Sequence, residues 1–155
     1  MPKMMRCRLV DVLMAVLVIV ACISREAVSA DAYPEFCRAE VLRIERAYQA
    51  GIAAAADEVE KLECARFRLA AQYFLVDSAY QSTLAWLAEH GGLMRAVEED
   101  QARWLAELEQ TAGRMELPGQ GNREACERIS ERLLARLAFF GRITAKQAFS
   151  TVYAG

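Results

Sequence analysis

The sequence predicts an all-α protein, an antiparallel bundle of four to five helices that follows an N-terminal signal segment. Alanine, leucine, glutamate and arginine, which are good helix formers, dominate the chain beyond that segment. Glycine is rare and proline is absent between residues 35 and 112. No stretch alternates apolar and polar residues with the period of two that a strand requires. A chain of 155 residues is long enough for one domain with its own core.

The first thirty residues predict an export signal. The short basic region MPKMMRCR precedes an uninterrupted apolar run of twelve, VLMAVLVIVACI. That run has the length of a signal-peptide core and falls short of the roughly twenty residues that span a bilayer. Small side chains favour cleavage after Ala30, which gives a signal peptide of residues 1–30. A lipobox-like sequence is the alternative, with a lipoprotein signal of residues 1–21 and a lipid on Cys22. A retained anchor is the third possibility.

Export predicts that the protein works in the periplasm or cell envelope, or is secreted, and meets a membrane only through its signal or a lipid anchor. The whole chain has a formal net charge of −2, and its first thirty residues carry four basic and two acidic side chains. The remaining chain is therefore near −4. No clustered basic face offers a surface to nucleic acid, whereas an acidic balance suits a basic protein partner.

The first predicted helix belongs to an additional N-terminal segment, residues 31–56. It begins at Asp31 or Tyr33 with Pro34 in its first turn, where the missing N–H costs nothing. Asp57 and Glu60 form a capping-box pattern, which predicts a corner before a second helix that starts near residue 58. One continuous helix through residue 90 is the alternative. The expected apolar stripe of the first helix consists of Val41, Ile44, Tyr48 and Ile52.

The second predicted helix spans residues 58–90 and ends at the Gly91-Gly92 pair. Its expected buried residues are Val59, Leu62, Phe67, Ala70, Phe74, Ala79, Leu84 and Leu87. The third predicted helix spans residues 93–113. Its expected core side is formed by Leu93, Val97, Trp104, Leu105 and Leu108.

A loop is predicted over residues 113–122, where Pro118 and two glycines break any helical period. Asn122 is expected to cap the fourth helix. The apolar stripe of that helix repeats at intervals of three and four and contains Cys126, Ile129, Leu133, Leu137 and Phe140. Gly141 is expected to end this helix, and Thr144 to cap a short final helix that reaches Val152.

Export places Cys37, Cys64 and Cys126 in an oxidising compartment, where one disulfide and one spare thiol are expected. At about 1.5 Å per helical residue, an antiparallel first pair of helices separates Cys37 from Cys64 by roughly 13 Å, too far for a disulfide. The fourth helix is expected to begin level with residue 67, within reach of both earlier cysteines. The prediction is Cys64–Cys126, with Cys37–Cys126 as the alternative.

Several motifs follow one another over residues 57–138. The first is Cys64, and the others are Val76-Asp77-x-x-Tyr80, Gln101-x-x-Trp104, and Cys126 followed by Arg132 and Arg136. Together they resemble the LprI-like lysozyme-inhibitor family of small exported helical proteins, which assigns residues 57–155 to an LprI-like helical domain. That family has a Leu-Asn-x-x-Tyr element, so Asp77 stands where asparagine is usual.

The chain also departs from the pattern of that family. Leu108-Glu109 occupies the place of an Arg-Asp pair, and Ala112 stands where a third cysteine is usual. Cys37 lies further upstream than the first cysteine of the family. The resemblance therefore describes a divergent member.

The resemblance implies a binding protein that occludes the cleft of a lysozyme without any chemistry of its own. The family-marker residues Asp77, Tyr80, Gln101 and Trp104 are the binding candidates. Trp104 is also interpreted as a core residue whose indole N–H reaches Gln101 or Asp77, which would clamp the second helix to the third. The loop 113–122 is the candidate for the element that enters the cleft.

No catalytic, metal or cofactor site is predicted, because His90 is the single histidine and stands at a helix end. Arg128, Arg132 and Arg136 are interpreted as a solvated stripe that Glu124 pairs in part. The alternative function is a structural or interaction bundle that packs against another envelope protein. Its expected contact residues are Tyr33, Phe36, Phe149 and Tyr153.

Overall fold

Four α-helices form the protein in a computed structural model that describes residues 33–90, 93–112 and 121–152. They are α1 (Tyr33–Ala54), α2 (Glu58–His90), α3 (Met94–Ala112) and α4 (Gly121–Val152). No strand occurs in these ranges, which confirms the all-α prediction. None of the helices in them combines the length and hydropathy needed to cross a bilayer. The predicted signal segment and residues 113–120 of the predicted loop lie outside the described residues.

The corner between α1 and α2 lies where the capping pattern predicts it. Asp57 Oδ1 accepts a hydrogen bond from the backbone N–H of Glu60 at 2.9 Å. Glu60 Oε2 in turn accepts from the backbone N–H of Ala56 at 2.7 Å. These two bonds satisfy donors that a helix start leaves without partners. The alternative of one continuous helix through residue 90 is therefore wrong.

Helices that are consecutive in the chain run antiparallel, and α2 and α4 consequently run parallel. Two contacts show this direction: Arg68 of α2 pairs with Glu127 of α4, and Tyr80 of α2 packs against Phe140 of α4. The α2–α4 contact is the most extensive in the bundle, followed by the contact of α1 with α2. Helix α3 touches α2 and α4 only lightly, so it stands off from the other helices.

The apolar interior divides into two clusters. The smaller one lies near the α1–α2 corner and contains Tyr48, Ala65 and Cys126, with Cys64 among the residues packed against it. The larger one fills the rest of the bundle and contains Cys37, Leu75, Val76, Ala79, Trp86, Leu87, Val97, Leu108, Ile129, Leu133 and Phe140. Cys126 therefore lies level with Ala65.

The buried face of α2 differs from the predicted apolar stripe. Val59 is 66% exposed and Phe67 38% exposed, and Ala70 also faces solvent. Ala79 and Leu87 are buried as predicted, and Leu62, Phe74 and Leu84 are half-buried. Three polar side chains are buried instead: Arg68, Gln72 and Thr83. These polar residues lie among the apolar ones because α2 packs against three helices, so its buried face is wider than one stripe.

Part of the predicted core side of α3 is buried. Val97 and Leu108 are buried, and Trp104 and Leu105 are half-buried. Leu93 precedes the helix and is 76% exposed, so its place in the core was wrongly predicted. Since α3 stands off from α2 and α4, only a narrow face of it is enclosed.

Helix α4 buries its predicted stripe but does not end where expected. Gly141 lies inside the helix, which continues to Val152, and Asn122 follows its first residue, Gly121. Thr144 Oγ1 donates to the backbone carbonyl of Gly141 at 3.1 Å, so Thr144 caps no new helix. Glycine costs only about 1 kcal/mol inside a helix. The packing of Phe140 and Ile143 against the larger cluster outweighs that cost.

Gly51 lies inside α1, where alanine would be the better helix former by about 1 kcal/mol. A Cβ atom at this position would lie 2.9 Å from Cys64 Sγ. The absence of a side chain at Gly51 therefore provides the space for the Cys64 thiol where α1 and α2 approach each other.

We expect Gly51→Ala to lower the free energy of unfolding by about 1 kcal/mol, because the overlap with Cys64 Sγ outweighs the gain in helix propensity. In a Cys64→Ala background the same change is expected to raise it by about 1 kcal/mol. Urea unfolding of the four variants gives the coupling directly. Equal effects of Gly51→Ala in both backgrounds would contradict this explanation of Gly51.

Candidate functional site: a buried arginine centre beside an apolar groove

Arg136 of α4 is the centre of a buried polar site between α3 and α4, and it is only 7% exposed. Its Nε donates to Gln101 Oε1 at 2.8 Å, and its Nη1 donates to Asp100 Oδ2 at 2.7 Å. The interpretation of Arg136 as part of a solvated stripe is therefore wrong. Of the other two arginines, Arg132 is half-buried and reaches α3, whereas Arg128 is exposed.

Three aromatic rings surround the guanidinium of Arg136. Its central carbon lies 5.2 Å from the ring centroid of Trp104, 4.6 Å from that of Phe139 and 4.9 Å from that of Phe140. Its Nη2 is buried and has no hydrogen-bond partner in the described part of the chain. The ring faces carry partial negative charge and compensate in part for the water that Arg136 has lost.

Three of the four family-marker residues meet at this arginine centre. Gln101 and Trp104 contact Arg136 directly. Tyr80 packs against Phe140 with a centroid distance of 5.9 Å. Asp77, one turn before Tyr80, is exposed and lies outside the centre. The marker residues therefore join α2, α3 and α4 at one point.

The predicted clamp through Trp104 differs from the observed one. Gln101 uses its side-chain oxygen for Arg136, so the hydrogen bond joins α3 to α4 rather than α2 to α3. The sequence did not single out Arg136 as the residue that contacts these marker residues. Its spacing does indicate burial, because Arg136 is three residues after Leu133 and four before Phe140, on the buried face of the same helix.

A second buried arginine, Arg68, joins α1, α2 and α4 at the other end of the bundle. Its guanidinium carbon lies 3.9 Å from the ring centroid of Tyr48. Arg68 pairs with Glu127 at 2.6 Å and with Glu45 at 3.5 Å. The Tyr48 hydroxyl donates to Glu127 Oε1 at 2.9 Å. These contacts hold the corner region together beside Cys126.

This network determines the titration of Glu127. Desolvation acts to raise its pKa, but hydrogen bonds from Arg68 and Tyr48 outweigh desolvation and hold the pKa below its ordinary range. A carboxylate with a lower pKa in the folded state stabilises the fold above its unfolded pKa. That stabilisation disappears as the pH falls through the folded pKa.

We expect Glu127→Gln to lower the free energy of unfolding at neutral pH, and the difference from wild type to shrink as the pH falls below the unfolded pKa of about 4.3 and through the lower folded pKa. Urea unfolding of both proteins between about pH 7 and pH 3 measures this difference in the free energy of unfolding. Glu131→Gln, at an exposed position of the same helix, is the control and is expected to show no such trend. A difference that stays constant with pH would contradict the assigned network.

An open apolar groove of about 400 Å³ lies beside the arginine centre, between α2 and α3, with α4 as its floor. Tyr73 on its edge is 46% exposed. The complete lining consists of Leu69, Ala70, Tyr73, Leu105, Leu108, Glu109, Ile129 and Leu133. The groove exists because α3 stands off from α2.

Glu109 is the charged residue among those that line this groove. Two further carboxylates, those of Asp77 and Glu98, interact with Tyr80, which lies outside the lining. Burial raises the pKa of Tyr80, and the charges of Glu98 and Asp77 raise it further, which places both carboxylates near that hydroxyl. All three carboxylates are exposed, and none forms an ion pair with another described residue.

The structure shows no disulfide among the described residues, which include Cys37, Cys64 and Cys126. Cys64 and Cys126 belong to the smaller cluster, and Cys37 to the larger one. Burial raises the pKa of both Cys64 and Cys126. Groups of three or more histidine, cysteine or carboxylate side chains suited to a metal ion are absent from the described ranges.

The residues of the predicted envelope contact are only partly described. Phe36 packs against the larger cluster and is half-buried. The side chains of Tyr33, Phe149 and His90 lie outside the described part, as do Tyr153 and the lipid-attachment candidate Cys22. Comparisons with protein-family models, with curated proteins and with solved structures found no match for the chain.

Proposed function

We propose that this chain is an exported cell-envelope protein that binds a lysozyme and occludes its active-site cleft, as its resemblance to LprI-like inhibitors implies. One observation supports this proposal above all others. Tyr80, Gln101 and Trp104 lie on two helices, yet all three gather around Arg136. Three of the residues that carry the resemblance therefore lie together in this fold.

The arginine centre suits a binding protein because it holds α3 in place and so makes the exposed surface of α3 rigid. Arg136 ties α3 to α4 through Gln101 and Asp100, although α3 touches its neighbours only lightly. A surface that is ordered before binding loses less conformational entropy when a partner docks. Helix α3 carries five carboxylates and two arginines, and an acidic face of this kind speeds the approach of a basic enzyme.

A lysis assay tests the proposal directly. Purified residues 31–155 are expected to slow a lysozyme acting on a suspension of bacterial cell walls when present at micromolar concentration. An Arg128→Ala variant, altered at an exposed position of α4, is expected to slow it equally. Unchanged lysis at micromolar protein would count against the proposed function.

We also propose that oxidation pairs Cys64 with Cys126 in the exported protein. Both thiols lie at the smaller cluster. Cys37 precedes Tyr48 of that cluster by eleven helical residues, or about 16 Å, which disfavours the alternative Cys37–Cys126. A bridge between Cys64 and Cys126 would close a loop of about sixty residues and stabilise the fold by about 4 kcal/mol. Peptide mapping of the non-reduced protein tests the pairing, and any other linkage would overturn it.

A further inference from the structure

The interface between α1 and α2 buries polar side chains that have too few hydrogen-bond partners. Among the described helices, α1 packs extensively against α2 alone. Glu40 of α1 and Gln72 of α2 are each 3% exposed. Glu40 Oε2, Gln72 Oε1 and Arg68 Nε have no hydrogen-bond partner in the described part of the chain. Each of these atoms has lost water without full compensation, and it is hydrated again when α1 moves away from α2.

Arg68 is the buried cation of this interface, and groups on two other helices hold it. Helix α1 supplies Glu45 at 3.5 Å and the Tyr48 ring, whose centroid lies 3.9 Å from the guanidinium carbon. Helix α4 supplies Glu127 at 2.6 Å. The Arg68 side chain is only 4% exposed, so its charge depends on these carboxylates for compensation. The other charged or titratable groups around the cluster are Arg123 and Cys126 of α4, and Glu58 and Arg66 of α2.

Acid neutralises the carboxylates of this cluster and leaves the buried guanidinium charged. Desolvation acts to raise the pKa of Glu127, but hydrogen bonds from Arg68 and Tyr48 hold that pKa below its ordinary range while α1 is in place. When α1 has moved away, Glu127 is hydrated and its pKa returns towards the ordinary value of about 4.3. The state with α1 moved away therefore binds the proton more tightly, and its population rises as the pH falls below about 4.

We propose that acid releases α1 from α2 and α4, whereas α2, α3 and α4 stay together. The contact between α2 and α4 is the most extensive in the bundle, and the larger apolar cluster joins these two helices. Helix α3 keeps the hydrogen bond from Arg136 to Gln101, because a neutral amide does not titrate. Release of α1 exposes its buried side chains Cys37 and Tyr48, so the access of solvent to both depends on pH.

Hydrogen exchange, followed by mass spectrometry of peptides from each helix, tests the release of α1. Dividing each observed rate by the rate of the unfolded chain at the same pH removes the pH dependence of exchange itself. A detached helix of 22 residues is only marginally stable, so its amides exchange once α1 is released. Between about pH 7 and pH 3, residues 37–48 of α1 are expected to lose protection about fivefold or more. The buried parts of α2 and α4 are the reference and are expected to lose less than about twofold.

Three variants test whether the charge cluster causes the release. Glu45→Gln with Glu127→Gln removes both carboxylates, so α1 is expected to have low protection already at neutral pH and to lose no more in acid. The matched control Glu35→Gln with Glu131→Gln removes two exposed carboxylates from the same two helices and is expected to match wild type within about twofold. Arg68→Met removes the buried charge and is expected to reduce the loss in acid to less than about twofold. Circular dichroism at neutral pH confirms that each variant keeps its helices.

A loss of protection in all four helices together would show that acid unfolds the whole bundle, and it would overturn the proposal. Unchanged protection of α1 in acid would do the same. An equal acid response of the two double variants, or a full response in Arg68→Met, would show that another group controls α1.

Discussion

Replacing Arg136 by alanine is expected to lower the free energy of unfolding by about 2–4 kcal/mol, because a buried acceptor loses its donor and a cavity replaces the side chain. The change deletes the guanidinium that three aromatic rings enclose and leaves Gln101, itself buried, without its hydrogen-bond donor. Asp100 loses its partner as well, but it is partly exposed and water can replace Arg136 there. Urea unfolding followed by circular dichroism measures the loss.

A double variant distinguishes the loss of packing from the loss of the hydrogen bond. Arg136→Met combined with Gln101→Leu removes donor and acceptor together and refills the space with apolar atoms, so it is expected to recover most of the stability. Arg128→Ala, on an exposed turn of the same helix, is expected to change stability by no more than about 0.5 kcal/mol. A loss at Arg136 no greater than the loss at Arg128 would show that the arginine centre does not hold α3.

Replacing Phe140 by alanine is expected to lower the free energy of unfolding by about 3–5 kcal/mol, because it leaves a cavity in the larger cluster. Phe140 is 1% exposed and contacts the rings of Tyr80 and Phe139 and the guanidinium of Arg136. Thermal and urea unfolding both measure the effect. Since Phe140 and Arg136 touch, the double variant is expected to lose less than the sum of the two single losses.

Phe67→Ala is the matched control for Phe140→Ala. Phe67 is 38% exposed and faces away from the core, although its place in the sequence predicted burial. Its replacement is expected to lower stability by less than about 1 kcal/mol. Similar losses at the two phenylalanines would contradict the observed division between core and surface.

The sequence predicted a helix boundary correctly where side chains and backbone groups that are close in the chain set it. Asp57 and Glu60 mark the start of α2 because their side chains bond to backbone groups only a few residues away. Gly141 shows the limit of the same reasoning. Glycine favours a helix end, but the flanking apolar residues of α4 pack against the core and the helix continues.

Three residues of the arginine centre were singled out from the sequence as binding candidates: Tyr80, Gln101 and Trp104. Their common partner Arg136 was not, because an arginine in a row of three arginines has the pattern of a solvated face. Whether such a residue is buried depends on which helix packs over it. For Arg136 this is α3, whose Gln101 lies 35 residues away in the chain.

The sequence by itself determined the class of the fold, the start of α2 at its capping pattern, and the apolar face of α4. All of these depend on propensity, hydrogen bonds or periodicity within a few residues along the chain. Only the tertiary structure decided that α3 stands off from α2, that Arg136 is enclosed by rings and that an apolar groove remains open. Those features depend on the relative positions of whole helices, which the small free energies of many side-chain contacts set together.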